Sequence, residues 1–259
     1  MPKHLPDSTT KSTLALQEGS PVLSDQKLQI DKNIRTVLST LRNLEKKYQR
    51  KENSVQLIAV SKTKPIEDIT IANLANQKHF GESYLQEAID KIEHNNLDLI
   101  WHFIGPIQKN KTRQITENFQ WVHSIDRPII AQRLNDQRPK TLQPLQTCIQ
   151  VNIDNEASKA GVTLDEVDEL ATKLSTLKHI KLRGLMAIPR ACDDLDTQRK
   201  SFAKLRKKLE HLNQLGFELD TLSMGMSNDL EAAVAEGATI VRVGTAIFGK
   251  RELNYELNK

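Results

Sequence analysis

Apolar positions along this chain alternate between a helical rhythm and short unbroken runs. The first regular stretch opens at Asp25, where Ile30, Ile34, Val37, Leu41 and Leu44 recur at alternating spacings of four and three, one buried stripe on a helix. Gln56-Leu-Ile-Ala-Val-Ser61 is then a short apolar run, followed by a helix that opens with Pro65. Proline is favourable there because its missing N–H has no helical acceptor to lose. The same alternation continues with strands over 79–81, 99–104 and 121–123, followed by helices over 84–95, from about 109, and over 128–137. In the second half, strands over 147–151, 180–188, 219–222 and 239–243 alternate with further helical stretches. These include 164–177, introduced by a capping box at Thr163-Leu-Asp-Glu166, a stripe of Phe202, Leu205, Leu209 and Leu212, and a short helix over 229–236.

Eight strands, each followed by a helix or helical turn, predict a single (β/α)8 TIM-type barrel of the α/β class with an extra N-terminal helix. A doubly wound sheet is the competing arrangement, but it needs fewer strands and leaves some of the eight unexplained. The strand runs lack strict alternation, as expected when both faces are covered. Residues 1–24, rich in Ser, Thr, Pro, Lys and Gln, read as a flexible tail, and 25–259 as the barrel domain.

Composition narrows the function classes. A net charge of +4 over 259 residues is too slight to argue for nucleic acid, and the basic run 46–51 reads as a solvated helix face. Neither an apolar leader nor a membrane-spanning run is present, so a cytoplasmic protein without membrane or nucleic-acid partners is expected. The two cysteines, Cys148 and Cys192, have no C-x-x-C spacing and read as reduced thiols.

In a TIM-type barrel the chemistry sits where strands end, with phosphate sites in the loops after strands seven and eight. Those loops here are Ser223-Met-Gly225-Met-Ser227-Asn-Asp229 and Gly244-Thr245, with Arg242 on the last strand. Backbone amides at helix starts bind anions, glycine allows close approach, and Ser227 and Thr245 add hydroxyls. Taken singly, each loop reads equally well as an ordinary turn and cap. Together, at the two expected positions, they favour a phosphate site. Lys62 ends the first strand. By position alone it reads as a lysine that snorkels to solvent. Partial desolvation at a barrel mouth would instead make its amine available to attack an aldehyde. Lys64 is the local competitor. His79, His102 and His123 lack metal-ligand spacing and read as satisfied core or rim histidines, and Asp193, Asp194 and Asp196 as a solvated acidic loop.

These segments together resemble a known family, the pyridoxal phosphate homeostasis proteins. The resemblance rests on Ala59-Val-Ser-Lys-Thr-Lys-Pro65, Phe80-Gly-Glu-Ser-Tyr-Leu-Gln-Glu87 and Trp101-His-Phe-Ile-Gly-Pro-Ile-Gln108. It extends to Asn110-Lys-Thr112, Ser124-Ile-Asp126, Val151-Asn152, Lys159-Ala-Gly161, Arg183-Gly-Leu-Met186, Leu222-Ser-Met-Gly-Met-Ser227 and Arg242-Val-Gly-Thr-Ala-Ile-Phe-Gly249. It implies a barrel similar to the alanine racemase N-terminal domain, with pyridoxal 5′-phosphate (PLP) held as a Schiff base on Lys62. Phosphate contacts from Ser227, Arg242, Gly244 and Thr245 are implied, with Ser83, Met186, Ser223 and Gly225 also lining the cofactor. Where the family carries Gly-Glu-Asn this chain has Ser83, a shorter side chain that reaches the ring less well or through water. Lys159 matches a further family lysine, a candidate secondary or transfer site.

The implied role is reversible storage or delivery of PLP in vitamin B6 homeostasis, with PLP-dependent apoenzymes as partners and no robust turnover. The alternative is a PLP-dependent amino-acid racemase or lyase. Such enzymes use a tyrosine base from a second domain, and a chain ending at Lys259 with three tyrosines, Tyr48, Tyr84 and Tyr255, is not expected to supply one. A third reading is an interaction protein whose cofactor state signals to a partner.

Overall fold

A computed structural model of the chain describes residues 21–250, with side chains from residue 25. Of the tail expected over 1–24, residues 1–20 lie outside the described residues, and the first helix begins already at Pro21.

The strands are β1 Gln56–Val60, β2 His79–Glu82, β3 Ile100–Phe103, β4 Trp121–Ile125, β5 Leu145–Val151, β6 Ile180–Ala187, β7 Thr221–Ser223 and β8 Ile240–Val243. The helices are α1 Pro21–Lys47, α2 Ile66–Leu74, α3 Leu85–Glu93, α4 Thr112–Asn118, α5 Pro128–Gln137, α6 Val167–Ser175, α7 Leu195–Gln214, α8 Leu230–Ala235 and α9 Thr245–Phe248. The strands pair in parallel in chain order and β8 closes on β1, which rules out an open doubly wound sheet.

Side chains alternate across the barrel wall, because successive residues of a strand point to opposite faces. Leu57, Ala59, Phe80, Trp101, Phe103 and Val122 are buried in the layer beneath the helices. The intervening positions face the barrel interior. Gly184 lets β6 approach β7, since a Cβ there would stand 1.8 Å from the Thr221 carbonyl oxygen.

The last helix is a single turn, which leaves the β8–β1 side of the barrel thinly covered. Helix α1 fills that side, packing on α2, α8 and α9. Ile30, Ile34, Val37 and Leu41 are buried as the spacing predicts, and Leu44 is half-buried. Buried Glu45 accepts from the Asn53 and Val55 amides at 3.0 and 2.8 Å, tying the end of α1 to the start of β1. Asn33 donates to the Ile247 carbonyl at 2.8 Å.

Several local boundaries differ from the sequence reading. Pro65 is not the first helical residue but the N-cap, in extended conformation, with α2 starting at Ile66. Only half of the capping box forms. The Thr163 amide donates to Glu166 Oε2 at 2.8 Å, but the Thr163 hydroxyl also turns to that oxygen, and α6 begins at Val167. Strand β7 lies one to two residues later than expected, because its ladder is set by Gly184 and Ile240 rather than by its own weak apolar run. Asp194 proves to be the N-cap of α7, accepting from the Thr197 amide at 2.8 Å. Among the described residues no group of His, Cys, Asp and Glu could hold a metal, and no helix is long and apolar enough to cross a membrane. Both cysteines are free, Cys148 buried inside the barrel.

Candidate functional site

Lys62 occupies a tight turn at the C-terminal end of β1, closed by the Lys64 amide donating to the Ser61 carbonyl at 3.0 Å. The turn forces Thr63 to φ 64, a conformation that β-branched residues strongly disfavour. Lys62 is half-buried. Lys64, the competing lysine, donates to the Phe248 and Lys250 carbonyls at 2.9 and 3.1 Å, satisfying the end of α9. Its ammonium is therefore committed to structure.

A buried ionic cluster holds both neighbours of Lys62. Lys91 Nζ, on α3, donates to the Ser61 carbonyl at 2.8 Å, to Glu82 Oε1 at 2.8 Å and to Glu87 Oε1 at 2.5 Å. Glu82 Oε1 also accepts from the Ser61 hydroxyl at 2.7 Å, and Glu87 Oε1 from the Thr63 amide at 2.6 Å. One ammonium and two carboxylates thus pin residues 61 and 63, on either side of Lys62. Burial raises the Glu82 carboxyl above the usual range, opposed by Lys91. This cluster was not anticipated from sequence. The available signal was a lysine on the buried stripe of α3, four residues after Glu87.

The two anion-type loops stand beside this turn. Val60, two residues before Lys62, packs on Gly244, where a Cβ would lie 3.1 Å from the Val60 carbonyl oxygen. Gly244 is the N-cap of α9 and Thr245 its exposed first residue. The first amides of any helix have no intrahelical acceptor. In the preceding loop Gly225 has φ 97, and a Cβ there would stand 2.5 Å from Ala233 Cβ. Asp229 takes the Met226 amide and so folds the loop tip, leaving Ser227 exposed.

Other expected site residues lie lower in the wall. Met186 is buried, in register with Gln150 on one side and Ser223 on the other. Ser83 is half-buried at the end of β2, its backbone carbonyl 2.4 Å from where a Gly105 Cβ would sit, which explains that glycine. Ser223 and Arg242 meet: Arg242 donates to Ser223 Oγ at 2.8 Å and to the Ala187 carbonyl at 3.0 Å. Burial lowers the Arg242 guanidinium to about 10, partly opposed by Asp229.

Below them runs a chain of imidazoles. His123 Nδ1 is 2.8 Å from Ser223 Oγ, His102 Nδ1 2.9 Å from His123 Nε2, and His79 Nδ1 3.0 Å from His102 Nε2. All three are satisfied, as expected, but by one another. Burial, reinforced by Arg242, pushes His123 down to about 3. Burial also holds His102 well below its ordinary value and lowers His79. The sequence hint was their separation by 23 and 21 residues, one β/α unit each.

Lys159 is taken up by Glu156 at 2.5 Å and by the Pro189 carbonyl at 2.9 Å, bridging the loops after β5 and β6. Of the described tyrosines, Tyr48 donates to Glu231 at 2.9 Å in the helical layer, and Tyr84 is exposed beside Ser83.

Residues 30–252 match the family model of the alanine racemase N-terminal domain. A pyridoxal phosphate homeostasis protein of Vibrio alginolyticus is 52% identical over 230 residues, covering 86% of this chain and 98% of that protein. One from Pseudomonas aeruginosa is 53% identical over 224 residues, covering 86% and 96%. The solved structure of PipY from Synechococcus elongatus with PLP bound superposes with a TM-score of 0.75 at 36% identity, covering 85% of this chain and all of that one (100%).

Proposed function

Because this chain belongs to the pyridoxal phosphate homeostasis proteins, within the alanine racemase N-terminal domain family, we propose that it binds PLP covalently on Lys62 and serves as an intracellular, cytoplasmic store that delivers the cofactor to PLP-dependent apoenzymes. The observation that carries this reading is the placement of Lys62 on a clamped turn directly beside the Gly244–Thr245 loop.

The residues present fit the group. Lys62 offers an amine. In the neighbouring loops Ser227 and Thr245 offer hydroxyls, and the opening amides of α9 offer donors for a phosphate. Gly225 and Gly244 sit where a side chain would collide with the wall, so the loops can close on an anion through their backbone. Arg242 supplies a buried positive charge beneath the rim. PLP, when bound, brings an aldehyde that reacts reversibly with amines and a ring that withdraws electrons.

The chain's own contribution is to hold and release. The Lys91 cluster fixes the backbone on both sides of Lys62, which lowers the ordering cost of attachment. Ser83, at the end of the strand next to β1, and Met186, on β6, are the remaining residues assigned to the cofactor, and Lys159 bridges the loops after β5 and β6. The exposed loop tips at Ser227 and Thr245 leave an exit open.

Borohydride treatment of protein loaded with PLP, followed by peptide mapping, tests the reading. The expected result is modification of Lys62, with visible absorption lost in Lys62→Ala. Modification of Lys64 or Lys159 in place of Lys62 would refute it.

A further inference from the structure

The imidazole chain has a direction that the hydrogen-bond chemistry determines. A guanidinium only donates, so Ser223 Oγ must accept from Arg242. Ser223 is fully buried, and its other partner is His123 Nδ1. If His123 donated to it as well, the serine proton would be buried without an acceptor, an arrangement that costs more than a typical hydrogen bond contributes. The serine hydroxyl therefore donates to His123 Nδ1. A neutral His123 then carries its proton on Nε2 and gives it to His102 Nδ1. His102 in turn donates from Nε2 to His79 Nδ1, and the Nε2–H of half-buried His79 ends the chain. Every donation runs away from Arg242.

This arrangement has a consequence for the arginine. Buried charges are ordinarily paired with an opposite charge. Among the described residues, Arg242 is held instead by a neutral hydroxyl and a carbonyl. Asp229, the carboxylate it senses, is occupied by the Met226 amide. Neutral imidazoles fix the serine, and the serine fixes the guanidinium, without cancelling its charge.

We propose that His123, His102 and Ser223 are positioning residues for Arg242, ordered as a one-way chain of Nε2–H tautomers that keeps the guanidinium oriented, with no carboxylate in contact with it among the described residues, for an electron-rich group of the bound ligand. This rests on the PLP reading above for the identity of that ligand; the tautomer assignment stands without it.

Nitrogen-15 and carbon-13 NMR of the histidine side chains in the full chain gives the direct test. The expected result is the Nε2–H tautomer for all three imidazoles at neutral pH, in wild type and in Lys62→Ala alike. An Nδ1–H tautomer or an imidazolium at His102 or His123 would overturn the proposal. PLP affinity is the second readout. His123→Phe and Ser223→Asp, the latter placing a carboxylate against Arg242, are expected to weaken PLP binding about tenfold or more, the scale of one charge-assisted hydrogen bond. His123→Gln, which keeps a neutral acceptor, is expected to restore most of it. PLP binding that follows only the thermal midpoint of each apoprotein, with Ser223→Asp binding as wild type, would assign the chain to barrel stability and refute the positioning role. Failure of the PLP reading looks different: Lys62→Ala would then retain borohydride-trapped PLP while the tautomers stay as predicted.

Discussion

Lys91 Nζ lies 2.8 Å from the carbonyl oxygen of Ser61, so an ammonium from the third helix holds the backbone immediately before Lys62. The same nitrogen binds Glu82 and Glu87, and Glu87 holds the amide immediately after Lys62. Removing one partner from a buried charged cluster strands the others. Lys91→Met is expected to destabilise the protein by about 3–5 kcal/mol, measured by urea denaturation. In the Glu82→Gln background the loss should be smaller, because the stranded carboxylate is gone. Equal losses in both backgrounds would show that the cluster is not coupled.

Thr63 sits at φ 64 because the turn that presents Lys62 demands it. Asparagine tolerates this region, whereas a β-branched residue is strained there by roughly 1 kcal/mol or more. Thr63→Asn should therefore raise apoprotein stability by about 0.5–1 kcal/mol, and Thr63→Val should give no gain. A calorimetric comparison of the three proteins decides it; stabilisation by valine would contradict the strain assignment.

Acid should unfold the protein through its histidines. His79, His102 and His123 all have native pKa values below the ordinary value near 6.5, His123 down to about 3. Below pH 6.5 the unfolded chain binds protons that the native state refuses, so stability falls as pH drops through that window, on the order of 1 kcal/mol per pH unit for each histidine. Glu82 and Asp229, both raised by burial, act in the opposite sense and recover stability as pH falls through their native values. Urea midpoints at pH 7, 6 and 5 should decline for wild type and decline less steeply for His123→Gln. Parallel profiles would refute the histidine contribution.

The glycines of the wall and the loop should separate folding from binding. At Gly184 a Cβ would stand 1.8 Å from the Thr221 carbonyl oxygen, so Gly184→Ala must force β6 and β7 apart. A loss of more than about 3 kcal/mol is expected in thermal melts. Gly225→Ala meets Ala233 and a left-handed backbone at a loop rather than in the ladder. It should weaken PLP binding more than it lowers the melting temperature, and a change in melting temperature alone would place Gly225 outside the site.

The sequence alone determined the architecture. Apolar runs separated by helical periods count out eight β/α units, because each strand and helix needs its own apolar signature whatever its neighbours are. The closed order from β1 to β8 follows from that count. The strand-end rule for barrels put Lys62 and the Gly225 and Gly244 loops at the barrel mouth, and the resemblance to the pyridoxal phosphate homeostasis proteins singled out Lys62. Only the tertiary structure decided how these parts work together. What occupies the competing lysine, Lys64, came only from folding, which sets its ammonium on the Phe248 carbonyl, 184 residues away. Glu82, Glu87 and Lys91 read as ordinary strand and helix residues until folding brought them around one turn. His79, His102 and His123 are each unremarkable in sequence, and only barrel closure places them in line with Ser223 and Arg242. Periodicity reports which face of an element is buried, a local property of the chain. Which buried polar groups meet is a property of strand register and barrel closure, and those exist only in three dimensions.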